Sequence, residues 1–549
     1  MLKYTQKSLY LFTMKKILPL LIALAAASCT PLYDVVVVGG GTGGTAAAIE
    51  AARCGASVLV AEESPWLGGM LTSAGVSAID GNYRLRGGIF GEFCDSLASR
   101  YGGYDALYSG WVSKIMFNPA VGAEVLANMV SGAGVDVRFG VGLLSARRDF
   151  SAPLRSGRND RKGSSREKAK SNFMSSRAEA KPESRDLRPW QLRFSDGSKV
   201  RAQILIDGTE LGDVARMVGA EALEDRKCVQ DMTYVLNVKY YDRDVCIPEP
   251  PGYDIEDYRH CCDNPLATNT GGNGPKGQQL WSRDMMLSYG LLPDGHIMLN
   301  WPVYGNDFYV EYLDMAPDGR AAAVQQAKDR ALGYLYFLQH ELGLENLGIS
   351  DDVFPSEDGL PFYPYYREAR RIAGIDTMTV DAARNPYAYD LYTRAVAVGD
   401  YPVDHHHVQN PRWEELSHLW FGQIPSFSVP LGVTIPVKID DFLVADKAVS
   451  VSWEMNGGTR LQPVIMGLGQ ASGALAALAV QRSLHPRNVP VRDVQELLLD
   501  HGCYLLPFLD LAPSDPGFKD LQLKGISGEV RGTGRSVGWS NETWINLPD

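Results

Sequence analysis

The chain lacks the marks of several common chemistries. Eight cysteines are scattered over 549 residues, and none form a C-x-x-C pair. That excludes a disulfide framework and a cysteine zinc site. There is no G-x-S-x-G, no H-E-x-x-H and no G-x-x-x-x-G-K. A hydrolase nucleophile elbow, a zincin helix and a P-loop are therefore all missing. Basic residues are outnumbered, 53 Lys and Arg against 65 Asp and Glu. The resulting net charge of -12 argues against a nucleic-acid partner. The apolar run after Lys16 is too short to span a bilayer as a stable helix. What remains is ordinary globular material, 45% apolar and 21% charged. At this length two or more domains are expected.

Two stretches depart from that average. Met14-Lys15-Lys16 followed by ILPLLIALAAASC reads as a secretory signal starting at Met14. Its end, Ala26-Ala27-Ser28-Cys29, resembles a bacterial lipobox, which implies lipidation of Cys29, a membrane anchor and an exported protein at the periplasmic face or outer membrane. The alternative is a buried N-terminal helix in a cytoplasmic chain. No twin-arginine pair precedes the run, so export would be of an unfolded chain. The second stretch, Arg147 to Arg188, holds 13 Lys and Arg against 6 Asp and Glu with almost no large apolar residue. It reads as a disordered basic insertion, a solvated loop or a tract that touches anionic lipid.

The most informative stretch is YDVVVVGGGTGGTAAAIEAARCGASVLVAEE, Tyr33 to Glu63. Val35 to Val38 is the run expected of a parallel strand buried on both faces. Gly39-x-Gly41-x-x-Gly44 follows, with Gly43 inside it. Gly39 suits the tight turn, Gly41 the approach of a pyrophosphate, and Gly44 the packing of a helix over Thr45 to Cys54. That helix offers its N-terminus to the phosphates. A second strand, Ser57 to Ala61, ends at Glu62, placed to accept hydrogen bonds from a ribose diol and to repel a phosphorylated ribose. GGNGPKG, Gly271 to Gly277, fits the same glycine pattern without a strand before it or a helix after it, and reads as a loop. Gly68-Gly69-Met70, soon after Glu62, lets the chain cross close over a second part of an extended cofactor.

Glu62 to Thr72 resembles FAD-dependent oxidoreductases with the glutathione-reductase-like fold. More narrowly, it resembles the bacterial family of FAD-dependent oxidoreductases sometimes labelled xanthan lyase. The likeness extends through FNPAVGAEVLANMVSGAGVDVRFGVGLLSA (Phe117 to Ala146), ILIDGTELGDVARMVGA (Ile204 to Ala220), LPDGHIMLNWPVYGNDFY, YYREARRIAG, YPVDHHH and WEMNGGTRLQPVIMGLGQASGALAALAV. It implies an α/β, Rossmann-like FAD/NAD(P)-binding domain that is discontinuous, residues 31–220 and 431–490. Inserted in it is an α+β substrate domain, 221–430, and a C-terminal extension, 491–549, follows. The substrate domain is rich in Trp, Tyr and Pro and reads as poor in long periodic helices; the extension opens with an amphipathic helix, Val491 to Gly502. The resemblance also implies non-covalent FAD, Leu143 beside the adenine, Asp207 and Gly208 in a second turn near the flavin, and Pro463 and Met466 at the turn that closes on it. A helix N-terminus there eases flavin reduction; the same GLGQASGALAAL helix also serves as a small-residue packing element.

Candidate chemistry centres on Asp404-His405-His406-His407. A carboxylate orients an imidazole whose pKa suits proton transfer. The resemblance points to His406 as the base, with Asp404 its partner. Adjacent side chains on an extended chain alternate, so one metal is hard to share and none is expected. Arg367 and Arg371 lie one helical turn apart. They either clamp a carboxylate or line the flavin, or else pair internally with Glu368. Asn300-Trp301-Pro302 and Gly305-Asn306-Asp307 supply either hydrogen bonds and a stacking surface or a turn packed by Trp301. The expected activity is hydride transfer between a small polar, carbohydrate-derived molecule and FAD, with an unspecified electron acceptor. A polysaccharide lyase or hydrolase and a redox-inactive carbohydrate-binding surface lipoprotein are the alternatives.

Overall fold

The computed structural model describes residues 30–108, 113–148, 188–224, 230–267, 274–277, 279–302, 304–416 and 422–546. The expected signal with Cys29, most of the basic stretch 147–188 and the first three residues of Gly271 to Gly277 lie outside them.

The first strand, β1 (Leu32–Val38), is followed by helix α1 (Thr42–Arg53) and β2 (Val58–Glu62). Then come α2 (Pro119–Gly132), β3 (Asp136–Phe139), β4 (Leu143–Arg148), β5 (Trp190–Phe194) and β6 (Lys199–Asp207). Strands β3, β2, β1 and β6 lie side by side and parallel. Val35, Val36 and Val37 have no exposed surface, and each such side chain contributes about 1.5–3 kcal/mol by leaving water. The start of β6 also carries the antiparallel meander β5 and β4. Leu143 therefore opens the strand at the edge of that sheet rather than closing the unit begun by α2.

A second core spans residues 211 to 360. Strands β7 (Leu236–Tyr240), β8 (Ile297–Leu299) and β9 (Leu347–Ile349) form a small antiparallel sheet with β7 central. Against it runs α3 (Pro317–His340), 24 residues long. This helix stands in a region expected to be poor in long periodic helices. Its buried stripe is built from Ala323, Ala327, Ala331, Tyr334 and Leu338. Alanines carry little hydropathy contrast, so the period is faint in the sequence.

The chain then returns to the first core. Arg367 to Arg371, expected to form one turn of helix, lies instead in an extended stretch that bridges Thr233 at Tyr365 and Ala222 at Ile372. Positions 367 and 371 share a side in a helix and in a strand alike, so the spacing could not separate the two. Strand β10 (Phe442–Val444) joins the end of β6 in parallel. Helices α4 (Trp453–Thr459), α5 (Gln462–Arg482) and α6 (Val491–Asp500) follow. Helix α5 is long and apolar enough to cross a membrane, yet it is buried against α1. A Cβ added at Gly469 would lie 2.1 Å from the carbonyl of Gly43, and one at Gly473 would lie 2.2 Å from that of Ala47. Only hydrogen in place of a side chain lets the two backbones approach so closely.

Candidate active site

A cleft of about 270 Å³ opens at the carboxyl ends of β1, β2 and β6, where open parallel sheets bind ligands. Gly39, Gly41, Glu62, Leu143 and Gly208 lie on its wall. Gly39 has φ +89°, and a Cβ there would meet the amide nitrogen of Thr209 at 2.5 Å; no other residue fits. Gly44 packs on Gly39 and Gly208, and Gly43 on the carbonyl of Ala445. Helix α1 begins beside the cleft with no cap from its N-cap residue Gly41; Asp446 takes the amide of Gly43 in its first turn at 2.9 Å, which leaves the remaining first-turn amides for an anion. Glu62 accepts from the amides of Gly40 at 2.6 Å and Ser64 at 2.7 Å. Burial raises its pKa, while those hydrogen bonds work the other way. Asp207 sits beneath the wall rather than on it. It takes the amides of Thr209 at 2.9 Å and Ala215 at 2.7 Å, and burial pushes it up to about 7. Its work is to shape the turn that carries Gly208.

Beyond this cleft the chain doubles over α1. The amide of Gly68 donates to the carbonyl of Gly40, and Thr42 Oγ1 donates to the carbonyl of Gly68 at 2.8 Å. Gly68 and Gly69 both have positive φ. The amide of Met70 donates to Glu210 Oε1 at 2.9 Å, and Glu210 pairs with the fully buried Lys447. Asp446 accepts from the amide of Gly43 at 2.9 Å. Glu210, Asp446 and Lys447 were not singled out in the sequence, where the available signal was a charged pair directly after the apolar strand β10. Pro463 stands in the first turn of α5 and Met466 one turn further, both buried. Gln462 donates to the carbonyl of Ala78 at 2.9 Å, while its buried Oε1 has no partner among the described residues. An unpaired buried acceptor is what a flavin ring N–H would satisfy. Cleft, helix N-terminus and orphan acceptor together fit an extended dinucleotide running from Glu62 to Pro463.

Next to the α5 terminus lies a chain of buried charges. His406 is clamped at both ring nitrogens, Nδ1 by Asp307 at 3.1 Å and Nε2 by Asp404 at 3.2 Å. Arg460 reaches Asp404 at 3.0 Å and donates to Tyr365 Oη at 2.5 Å. Arg367 reaches Asp307 at 3.2 Å and donates to the carbonyl of Asp231 at 2.6 Å. Thr233 also hydrogen-bonds Asp307. Burial disfavours charge on His406 and Arg367 repels it, yet Asp404 and Asp307 outweigh both, and its pKa is raised. Burial likewise opposes the charges of Asp404 and Asp307, but His406 with Arg460 and Arg367 holds both carboxylates below their usual range. Asp307, from the Asn306-Asp307 turn, and Arg460 complete a set of which the sequence had yielded His406, Asp404 and Arg367.

A family model described as FAD dependent oxidoreductase matches residues 34–498. The chain belongs to this family. The FAD-dependent oxidoreductase is also similar to 5-taurinomethyluridine-(tRNA) synthase subunit MTO1, mitochondrial, of Mus musculus, 36% identical over 83 residues, which is 14% of this chain and 12% of that one. Its likeness to solved structures includes a flavoprotein/dehydrogenase from Cytophaga hutchinsonii, 18% identical with a TM-score of 0.24 over 39% of this chain and 47% of that one. It also includes NikD, an amino acid oxidase of nikkomycin biosynthesis, 15% identical with a TM-score of 0.21 over 40% and 61%. The chain thus spans less than two thirds of the length of each.

The remaining expected residues of the oxidoreductase fall as follows. Arg371 is buried and set electrostatically against Glu368, whose carboxyl burial pushes up to about 7. His405 is fully buried on the carbonyl of Glu454 at 3.0 Å, and burial lowers it to about 3. Its ring centroid lies 6.2 Å from that of His407, while His406 is turned into Asp307 and Asp404. Among the described residues the donors grouped closely enough for a metal are Glu50, Cys54 and His501. There Glu50 is occupied by His501 at 2.6 Å and Gln470 at 2.9 Å, a network that ties α1 to α5 and the end of α6. Trp301 and Asn306 make a packed turn: the amide of Trp301 donates to Asn306 Oδ1 at 3.0 Å, and its indole to the carbonyl of Cys261 at 2.8 Å.

Proposed function

We propose that this oxidoreductase oxidises a hydroxyl group on a small polar, carbohydrate-derived molecule. The observation that carries the reading is the Asp307–His406–Asp404 clamp, joined by Arg460 to the turn that opens α5. FAD, when bound, supplies the hydride acceptor. Removing hydride from a carbinol also frees a proton, and a buried site needs a group to take it. The freed proton reaches neutral His406 through one of the two carboxylates, each of which faces a ring nitrogen, and both then stabilise the imidazolium. Arg367 and Arg460 keep those carboxylates charged, while Arg371 holds Glu368 behind them. Tyr365, with its hydroxyl on Arg460, lies in the same cluster and orients the reacting oxygen.

The test begins with a visible spectrum of the purified chain lacking residues 1–29, before and after heat denaturation, followed by anaerobic mixing with sugars and hydroxy acids. Flavin absorption, FAD in the supernatant and bleaching by a hydroxylated substrate are expected. Unsaturated sugar products formed without bleaching would replace this reading with the lyase one. We further propose that the protein is exported and held by lipid on Cys29, supported by the segment Met14 to Cys29. Labelled palmitate should enter the full chain and not its Cys29→Ala variant.

A further inference from the structure

The antiparallel meander β4–β5–β6 turns one face away from the core, and that face is basic. Arg147 pairs with Gln191, Gln191 with Arg201, and Arg201 with Leu32 of β1, so these four stand in one row across four strands. Register partners project to the same side of a sheet. Arg193 and Lys199, opposite each other, form the next row. The alternate residues Leu192 and Val200 are buried on the other side. Arg147, Gln191, Arg193 and Lys199 are exposed, and Leu32 keeps 47% of its surface. Among the described residues none of Arg147, Arg193, Lys199 and Arg201 has an ion-pair partner. Two acids that flank these strands are engaged: Asp34 holds Ser57 and Gln203, and Asp196 holds the amide of Ser198 in its own turn.

Cations spread over a flat strand face do not converge on one point, so they suit an extended anionic surface rather than a single bound phosphate. The path of the chain selects that surface. The amide of Arg201 donates to the carbonyl of Pro31 at 2.8 Å. Cys29 stands two residues before Pro31, so its backbone lies within about 7 Å of that contact. A lipid on Cys29 would bring headgroups to roughly one screening length from the row, about 8 Å at physiological salt. Exposed Leu32 adds an apolar contact at the same place. The stretch of 13 Lys and Arg against 6 Asp and Glu leaves and rejoins the sheet one step away, where Arg148 pairs with Trp190. The protein as a whole carries -12, so an anionic bilayer repels it except where cations gather. We propose that the outer face of the β4–β5–β6 meander docks on a bilayer containing anionic lipid, with Leu32 and Arg201 nearest the anchor. The proposal rests on the Cys29 reading for the choice of a bilayer, while the cations attract headgroups with or without the anchor.

The experiment is co-sedimentation of the FAD-loaded chain lacking residues 1–29 with vesicles at low and high salt. The vesicles are pure phosphatidylcholine or its equal mixture with phosphatidylglycerol. Binding to the mixed vesicles alone, weakened by salt, is expected. Arg147→Gln, Arg193→Gln and Lys199→Gln together should weaken it by about a hundredfold, at about fivefold for each cation near a charged membrane. All three side chains are exposed and lie outside the dinucleotide cleft, so FAD content should stay unchanged and serves as the folding control. Equal binding to both vesicles, no binding to the mixed vesicles at low salt, or a triple variant that binds like the native chain would each overturn the proposal. Retention on heparin without any vesicle binding would also overturn it, and would assign the face to an acidic macromolecule. Palmitate labelling of the full chain decides the anchor separately. Binding to the mixed vesicles by a protein that takes no palmitate would refute the anchor and support the face; a labelled protein that ignores anionic vesicles would do the reverse.

Discussion

Asp307→Asn isolates the role of the clamp on His406. In the native protein His406 has carboxylates at 3.1 and 3.2 Å and a raised pKa, above its ordinary 6.5. If neutral His406 accepts the proton, hydroxyl oxidation is weak at acidic pH and rises as pH climbs through that raised value. Losing one close opposite charge lowers an imidazole pKa by about 1–3 units. Arg367, deprived of its carboxylate 3.2 Å away, pushes in the same direction. The acid limb of the pH profile should therefore move down by about 1–3 pH units. The assay is the rate of anaerobic flavin bleaching at saturating substrate across the pH range. Stability follows the same linkage. A raised histidine pKa contributes stability that is complete below about 6.5 and is lost as pH rises through the folded value, so the variant loses most on the acid side. It also strands a buried guanidinium, at a cost of about 3–5 kcal/mol. Asp307→Asn with Arg367→Met should recover much of that and shift the limb less. An acid limb that stays in place, or moves upward, would refute the reasoning.

Other consequences are as concrete. Lys447→Met leaves Glu210 and Asp446 buried without their cation and should cost about 3–5 kcal/mol in denaturant titration, with Glu210→Gln added to it restoring most of the loss. Gly469→Ala puts a methyl against the backbone of Gly43. It should cost about 1–3 kcal/mol and show first as lost FAD in the purified protein. The hydrogen bond to Glu50 outweighs burial to raise the His501 pKa, so that pairing supports the fold below pH 6.5 and fades as pH rises through the folded value. His501→Gln should flatten this part of the stability–pH curve, and an unchanged curve would remove His501 from the account.

The sequence exposed what local chemistry dictates. Val35 to Val38, the glycines from Gly39 to Gly44 and the acid at Glu62 lie within one strand–helix–strand unit, and each is forced by a strand, a turn or a helix start. The clamp was half legible, because Asp404 and His406 are neighbours in the chain. Asp307 lies 99 residues from His406 and looked like part of a turn. Asn306 indeed makes that turn, while the next side chain enters the site. Arg460 was hidden by the helix that follows it, and Lys447 by the rule that lysines face water. The Arg367–Arg371 spacing misled because a strand and a helix place those positions alike. Helix α3 escaped because the first half of its buried face, Ala323, Ala327 and Ala331, is alanine.

The way β10 and α5 complete the cradle bears on how the protein is made. Asp446, which meets the amide of Gly43, stands 403 residues further along the chain, and β10 must slot beside β6 before that contact exists. A ribosome that has delivered the first four hundred residues has produced a nucleotide cradle without its back wall. Contacts of such long range form late and slowly. If the chain crosses a membrane unfolded, the cofactor meets it only after the last helices arrive, on the far side. Truncations near residue 440 should then yield apoprotein whatever the FAD supply, and maturation, rather than catalysis, becomes the step that limits how much active protein a cell displays.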